Sequence, residues 1–117
     1  MKTDELLPIV TAALEDLKAQ DILVLKAENI TSLFDYMIIA SANSTRQTKA
    51  LANHVQEKVK AAGGKVYSIE GEQVGEWVLV DLGDIVVHIM QPVIREYYDL
   101  ESLWVESSAI KEKNASI

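Results

Sequence analysis

Two runs rich in β-branched residues, Trp77-Val78-Leu79-Val80-Asp81-Leu82 and Ile85-Val86-Val87-His88-Ile89-Met90, are separated only by Gly83-Asp84. A two-residue, glycine-containing connection between such runs predicts a β-hairpin. With Gly83 and Asp84 at the centre of the turn, Leu82 faces Ile85. The ladder then continues as Asp81–Val86, Val80–Val87, Leu79–His88, Val78–Ile89 and Trp77–Met90. In that register one face carries Val78, Val80, Leu82, Ile85, Val87 and Ile89, and nothing polar. The other carries Trp77, Leu79, Asp81, Val86, His88 and Met90. A slip of one residue would put Asp84 and His88 among the valines, so burial selects the first register. The second face mixes an indole, a thioether, a carboxylate and an imidazole, and it is the first place to look for function.

The remaining pattern supplies what this hairpin packs against. Residues 4–19 read as an amphipathic helix with Leu6, Val10, Ala13, Leu14 and Leu17 on one face, capped by Thr3 or Asp4. A strand follows over 22–26, opened by Asp21. Residues 27–35 read as a loop with a turn of helix at Ser32-Leu33-Phe34. Residues 35–41 form a nearly all-apolar strand, which places it centrally in a sheet. Asn43-Ser44-Thr45 caps a long helix over 45–62, with Leu51, Ala52, Val55 and Val59 inward and Gly63-Gly64 as its stop. Lys65 to Ile69 is a third strand before the hairpin. Pro92 opens a last helix through Trp104. The order α-β-β-α-β-β-β-α predicts an α/β fold of the mixed α+β kind, with helices flanking a five-stranded mixed sheet. It reads as a single domain over residues 1–105, with 106–117 as a flexible C-terminal tail.

Composition narrows the function classes. The chain has 117 residues, 49% of them hydrophobic, enough for one packed domain rather than a disordered segment. No apolar run reaches the roughly 20 residues that span a membrane, and the acidic N-terminus does not resemble a secretory signal. There is no cysteine, which removes thiol chemistry and fits a cytoplasmic protein. The net charge of −7 is unevenly spread: residues 70–106 hold nine acids against one base, Arg95. That segment repels phosphate backbones, so direct nucleic-acid binding by it is not expected. It suits either a basic protein partner or a solvated surface.

The chain lacks the phosphate-loop, zinc-protease and serine-nucleophile signatures. Asp81 and Asp84 invite a metal or nucleotide-handling reading, with the Ser41–Ser44 loop as a possible anion site on a helix N-terminus. However, two carboxylates flanking a glycine turn more often form the turn itself, and the loop has no glycine for close backbone approach. His88 reads either as a satisfied, partly buried imidazole or as a hydrogen-bond donor to a partner. Tyr97, Tyr98 and Trp104 read as helix–sheet packing. The pattern leaves two fates for the second hairpin face: a helix covers it, or a partner does.

Taken together, Asp35-Tyr36-Met37-Ile38-Ile39-Ala40-Ser41, Ser44-x-Arg46-Gln47, Glu70-Gly71, Trp77 through His88 and Arg95-x-x-Tyr98-x-Leu100-Glu101-x-Leu103-Trp104 resemble the Iojap family, the bacterial ribosomal silencing factors. The resemblance spans about residues 4–104. It implies a domain related in fold to nucleotidyltransferases and a translational repressor rather than an enzyme, without cofactor or metal. It also implies binding to the fourteenth protein of the large ribosomal subunit, which blocks subunit joining. The chain departs from an active nucleotidyltransferase, having no Gly-Ser in the Ser41–Ser44 loop and no Asp-x-Asp pair. For such a binder the second hairpin face supplies Trp77 and Met90 as apolar anchors, Asp81 as a charge partner and His88 as a polar contact, with Leu82 and Glu76 at the rim. An exposed apolar face of this kind also predicts a homodimer in the free protein.

Overall fold

The computed structural model describes residues 1–27 and 30–104. The expected tail after residue 106 lies outside them. The elements are α1 (Thr3–Asp16), β1 (Gln20–Lys26), β2 (Tyr36–Ser41), α2 (Thr45–Ala61), β3 (Ser68–Glu70), β4 (Trp77–Asp81), β5 (Ile85–Met90) and α3 (Pro92–Tyr98). The five strands form one sheet in the order β1-β2-β5-β4-β3. β2 and β5 run parallel at its centre, and the other neighbours are antiparallel. β2, expected to be central, is buried from Met37 to Ser41.

The hairpin has the register selected by burial: Trp77 pairs with Met90, Val78 with Ile89, Leu79 with His88, Val80 with Val87 and Asp81 with Val86. Gly83 takes φ +87°, the left-handed region that a two-residue hairpin turn needs and glycine enters freely. The Leu82 N–H donates to the Ile85 carbonyl at 2.9 Å, closing the turn. The aliphatic hairpin face meets Leu6, Val10 and Leu14 of α1 and Leu51, Val55 and Val59 of α2 in the main core. His54 on α2 ties the two helices further, its Nε2 2.9 Å from a carboxylate oxygen of Asp16.

Several boundaries differ from expectation, each for a local reason. α1 ends at Asp16 because Lys18 adopts φ +60°, and Leu17 is left 37% exposed rather than on the inner face. Neither Thr3 nor Asp4 caps it. The N-cap is Lys2, and the Thr3 hydroxyl donates instead to the carboxylates of Asp35 (3.0 Å) and Asp84 (3.3 Å). β3 is shorter and later than the sequence suggested, at Ser68–Glu70 on the sheet edge. Residues 32–33 form a bend, and 32–34 make no helical turn.

α2 begins as expected. Ser44 Oγ accepts the Gln47 N–H at 3.1 Å, and Gln47 Oε1 accepts the Asn43 N–H at 2.9 Å, a reciprocal cap. Gln47 also donates to the Leu17 carbonyl at 3.3 Å, joining the start of α2 to the end of α1.

The last helix is broken rather than continuous. α3 stops at Tyr98, Asp99 takes φ +47°, and the chain is helical again over 100–104. A straight helix would have turned Leu100 away from the stripe of Ile94, since six residues advance about 600° at 3.6 residues per turn. The break lets Ile94, Leu100 and Trp104 all pack on one cluster beneath the sheet. Arg95 fastens the bend. Its Nε donates to Glu101 at 3.1 Å, and its Nη1 donates to the Asp21 carbonyl at 2.7 Å and to Ser41 Oγ at 2.9 Å.

Candidate functional site

The period-two pleat of β4 and β5 puts Trp77, Asp81, His88 and Met90 on the sheet face away from α1 and α2. What happens to each depends on α3, which leaves β5 at Gln91 and turns back over this face. Met90 is 0% exposed, packed with Met37 and Ile39 under Ile94, Leu100 and Trp104. It is therefore not a surface anchor, contrary to the sequence expectation. The pleat placed it on the correct face, but the turn at Pro92 covers it. Leu82 is 4% exposed within the main core and not at a rim, because its side chain belongs to the aliphatic face of the hairpin.

Trp77 is half-buried and sits at the centre of a chain of aromatic contacts. Its Nε1–H donates to Nδ1 of His88 at 2.9 Å, with ring centroids 5.8 Å apart. The Tyr98 ring lies 4.9 Å from the indole, and Tyr97 meets Tyr98 edge-on at 5.1 Å. Exposure rises along this series, from 9% at His88 to 50% at Tyr98 and 80% at Tyr97. His88 is flanked across the sheet by Leu79 and Ile39. Burial in these surroundings pushes its imidazole down from 6.5 to about 4, so it is neutral at pH 7. A neutral imidazole that accepts at Nδ1 carries its proton on Nε2.

The carboxylates divide between structural work and exposure. Asp81 Oδ1 accepts the Gly83 N–H at 2.8 Å, the turn-forming role that the sequence suggested. Asp84 accepts from Thr3 at the start of α1. The two acids are thus engaged by different elements, and no group of three or more His, Cys, Asp or Glu among the described residues is arranged to hold a metal. In the Ser41–Ser44 loop, Ser41 accepts from Arg95 and Ser44 caps α2. Glu76 is exposed beside Trp77, and its carbonyl accepts the Gln91 N–H where β5 ends.

Sequence reasoning missed the outer side of α3. Val93 is 76% exposed, Tyr97 80% and Tyr98 50%, and beyond the break Leu103 is 61% exposed, so the tyrosines do not serve purely as helix–sheet packing. The only signal lay at Val93, about 100° round the helix from the inward Ile94, whereas Tyr97 and Tyr98, three and four residues on, share the Ile94 side and gave none. Glu96 and Asp99, both exposed, stand next to Tyr97 and Tyr98 in the chain. Trp104 is half-buried against Phe34, with centroids 5.5 Å apart. Among the described residues, no helix is long and apolar enough to cross a membrane.

Comparison with known proteins gives a consistent picture. A family model described as "Ribosomal silencing factor during starvation" matches residues 1–116. The chain is 52% identical over 104 residues to the ribosomal silencing factor of Chromobacterium violaceum, covering 89% of this chain and 85% of that protein. It is 41% identical over 104 residues to that of Bacillus subtilis, covering 89% and 88%. A crystal structure of a Chromobacterium violaceum protein superposes with a TM-score of 0.87 at 52% identity, over 89% of this chain and 87% of that one. A second, from Bacillus halodurans, gives 0.79 at 35% identity, over 87% and 95%.

Proposed function

We propose, since the chain belongs to the family of ribosomal silencing factors, that it represses translation by binding the fourteenth protein of the large ribosomal subunit and sterically blocking the small subunit from joining. The observation that carries this reading is the strip formed by Trp77, Tyr98, Tyr97 and Val93, apolar at its centre and edged by Glu76, Glu96 and Asp99. Aromatic anchors inside a charged rim are the usual make-up of an interface hot spot. The acidic rim suits a basic ribosomal protein and disfavours direct contact with rRNA phosphates.

Of the six interface residues expected from the sequence, Trp77 and Glu76 meet the partner directly in this reading, and the half-buried Asp81 contributes charge at the turn. His88, Met90 and Leu82 act from behind the surface. The same strip gives the free protein a route to a two-fold homodimer that the ribosome displaces.

Sedimentation of purified subunits through sucrose, with and without the protein, tests the proposal. Comigration with the large subunit and a reduced joined-ribosome peak are expected. Trp77→Ala, on a chain that remains folded, should weaken the complex by more than about 1 kcal/mol. A protein that stays at the top of the gradient and leaves joining unchanged refutes occlusion, and a folded Trp77→Ala with unchanged affinity removes Trp77 from the interface.

A further inference from the structure

We propose that His88 is a positioning residue for recognition: its Nδ1 holds the Trp77 indole by the N–H edge, so that the ring meets the ribosomal partner already oriented and with no polar atom left to satisfy. The part concerning the partner rests on the reading above, whereas the lock itself is a property of the free chain.

Trp77 needs such a device because of where it stands. It is the first residue of β4, on the last rung of the hairpin, so no further residue of that strand packs against its outer side. An indole there has two side-chain torsions to restrict when a partner arrives, and restricting them on binding costs affinity. It also has one N–H donor and no acceptor. Covered by an apolar partner, an unpaired indole N–H would lose its water without replacement. The 2.9 Å bond to His88 removes both costs, since it fixes the ring and satisfies the donor from within the protein. Tyr98, its ring centroid 4.9 Å away, packs against the indole as well.

His88 suits this role better than that of a partner contact. It is 9% exposed, and its neighbours on the same face are Leu79 and Ile39 across the sheet and Val86 and Met90 along β5. None of these four carries a charge that would stabilise an imidazolium. The ring therefore remains an acceptor at Nδ1, as the indole requires. A further consequence is that the partner surface over Trp77 need not offer a hydrogen-bond acceptor. Its apolar area decides the contact.

Two variants of the full chain separate positioning from contact. His88→Asn retains an acceptor oxygen near the place of Nδ1, and His88→Leu removes it at similar bulk. The first readout is the indole N–H resonance and solvent-exchange rate of Trp77 in the free protein, distinguished from Trp104 with Trp104→Phe. The second is affinity for purified large subunits. In His88→Leu the Trp77 resonance should shift upfield with faster exchange while Trp104 is unmoved, and affinity should fall about five- to tenfold, the effect of losing one hydrogen bond. His88→Asn should restore the resonance and bring affinity within about twofold of the parent. An unmoved Trp77 resonance in His88→Leu overturns the lock. A restored resonance in His88→Asn with affinity still as low as in His88→Leu overturns positioning in favour of direct contact by His88. If His88→Leu does not fold, His88→Gln, whose acceptor reaches the ε position instead, takes its place. Failure of the parent protein to comigrate with large subunits would refute the ribosomal reading and leave the indole measurement to decide the lock on its own.

Discussion

Acid should destabilise this fold through one side chain, before the carboxylates take over. His88 is held at about 4 against an ordinary 6.5, because the folded state buries it without a compensating charge. The sign follows from proton counting. Between those two values the unfolded chain binds a proton at position 88 that the folded chain refuses, so falling pH favours unfolding. Above 6.5 neither state is protonated there and the effect vanishes. At about pH 5 the gap from the unfolded value is roughly 1.5 units, or about 2 kcal/mol at 1.36 kcal/mol per unit. Below about pH 4 both states take the proton and the loss levels off near 3 kcal/mol. Other groups titrate over the same range, so the comparison must be internal. Urea unfolding of the parent and of His88→Asn at about pH 8 and pH 5 isolates the term, because shared titrations cancel between them. The parent should lose about 2 kcal/mol more than the variant on acidification. A stability difference between the two proteins that does not change with pH would refute a neutral, buried His88.

Three further substitutions test how the site is supported. Gly71 has φ +83°, and a Cβ there would strike the Trp77 carbonyl, so Gly71→Ala should cost at least about 2 kcal/mol by thermal or urea unfolding and disturb the start of β4. Met90→Ala should cost about 2–5 kcal/mol by opening a cavity between the sheet and α3, with a much smaller loss if Met90 lies at the surface. Ser44→Ala should remove about 1 kcal/mol by leaving the Gln47 N–H without its cap, readable as a shift in the urea midpoint.

The parts of this fold written in short-range chemistry were legible in the sequence. The hairpin register followed from Gly83 and from one face free of polar atoms, and the start of α2 followed from Asn43-Ser44-Thr45. What the sequence did not disclose depends on contacts distant along the chain. Asp99 enters the left-handed region next to Arg95, whose own partners are Asp21, Ser41 and Glu101. No local propensity announces that break. The fates of Met90 and His88 depended on it too, since they turned on which element returns over the second face. Trp77 drew attention because an indole beside a carboxylate and an imidazole is unusual on a strand. Tyr97 and Tyr98 were read as helix–sheet packing because they lie three and four residues from the inward Ile94; Tyr98 does pack on Trp77, whereas Tyr97 is left 80% exposed.

The parallel pairing of β2 with β5 also imposes an order of assembly. Its rung of Ile38 against Val87 joins positions separated by nearly half the chain. The β4–β5 hairpin and α2 close over short distances and can form early, whereas this rung has to wait for a long loop to close. The seat of His88 beside Ile39 is made only in that step. α3 emerges after β5 in synthesis, and Arg95 can grip Asp21 and Ser41 only once β1 and β2 have docked. A nascent chain stopped short of residue 90 would therefore lack the surface proposed to meet the ribosome.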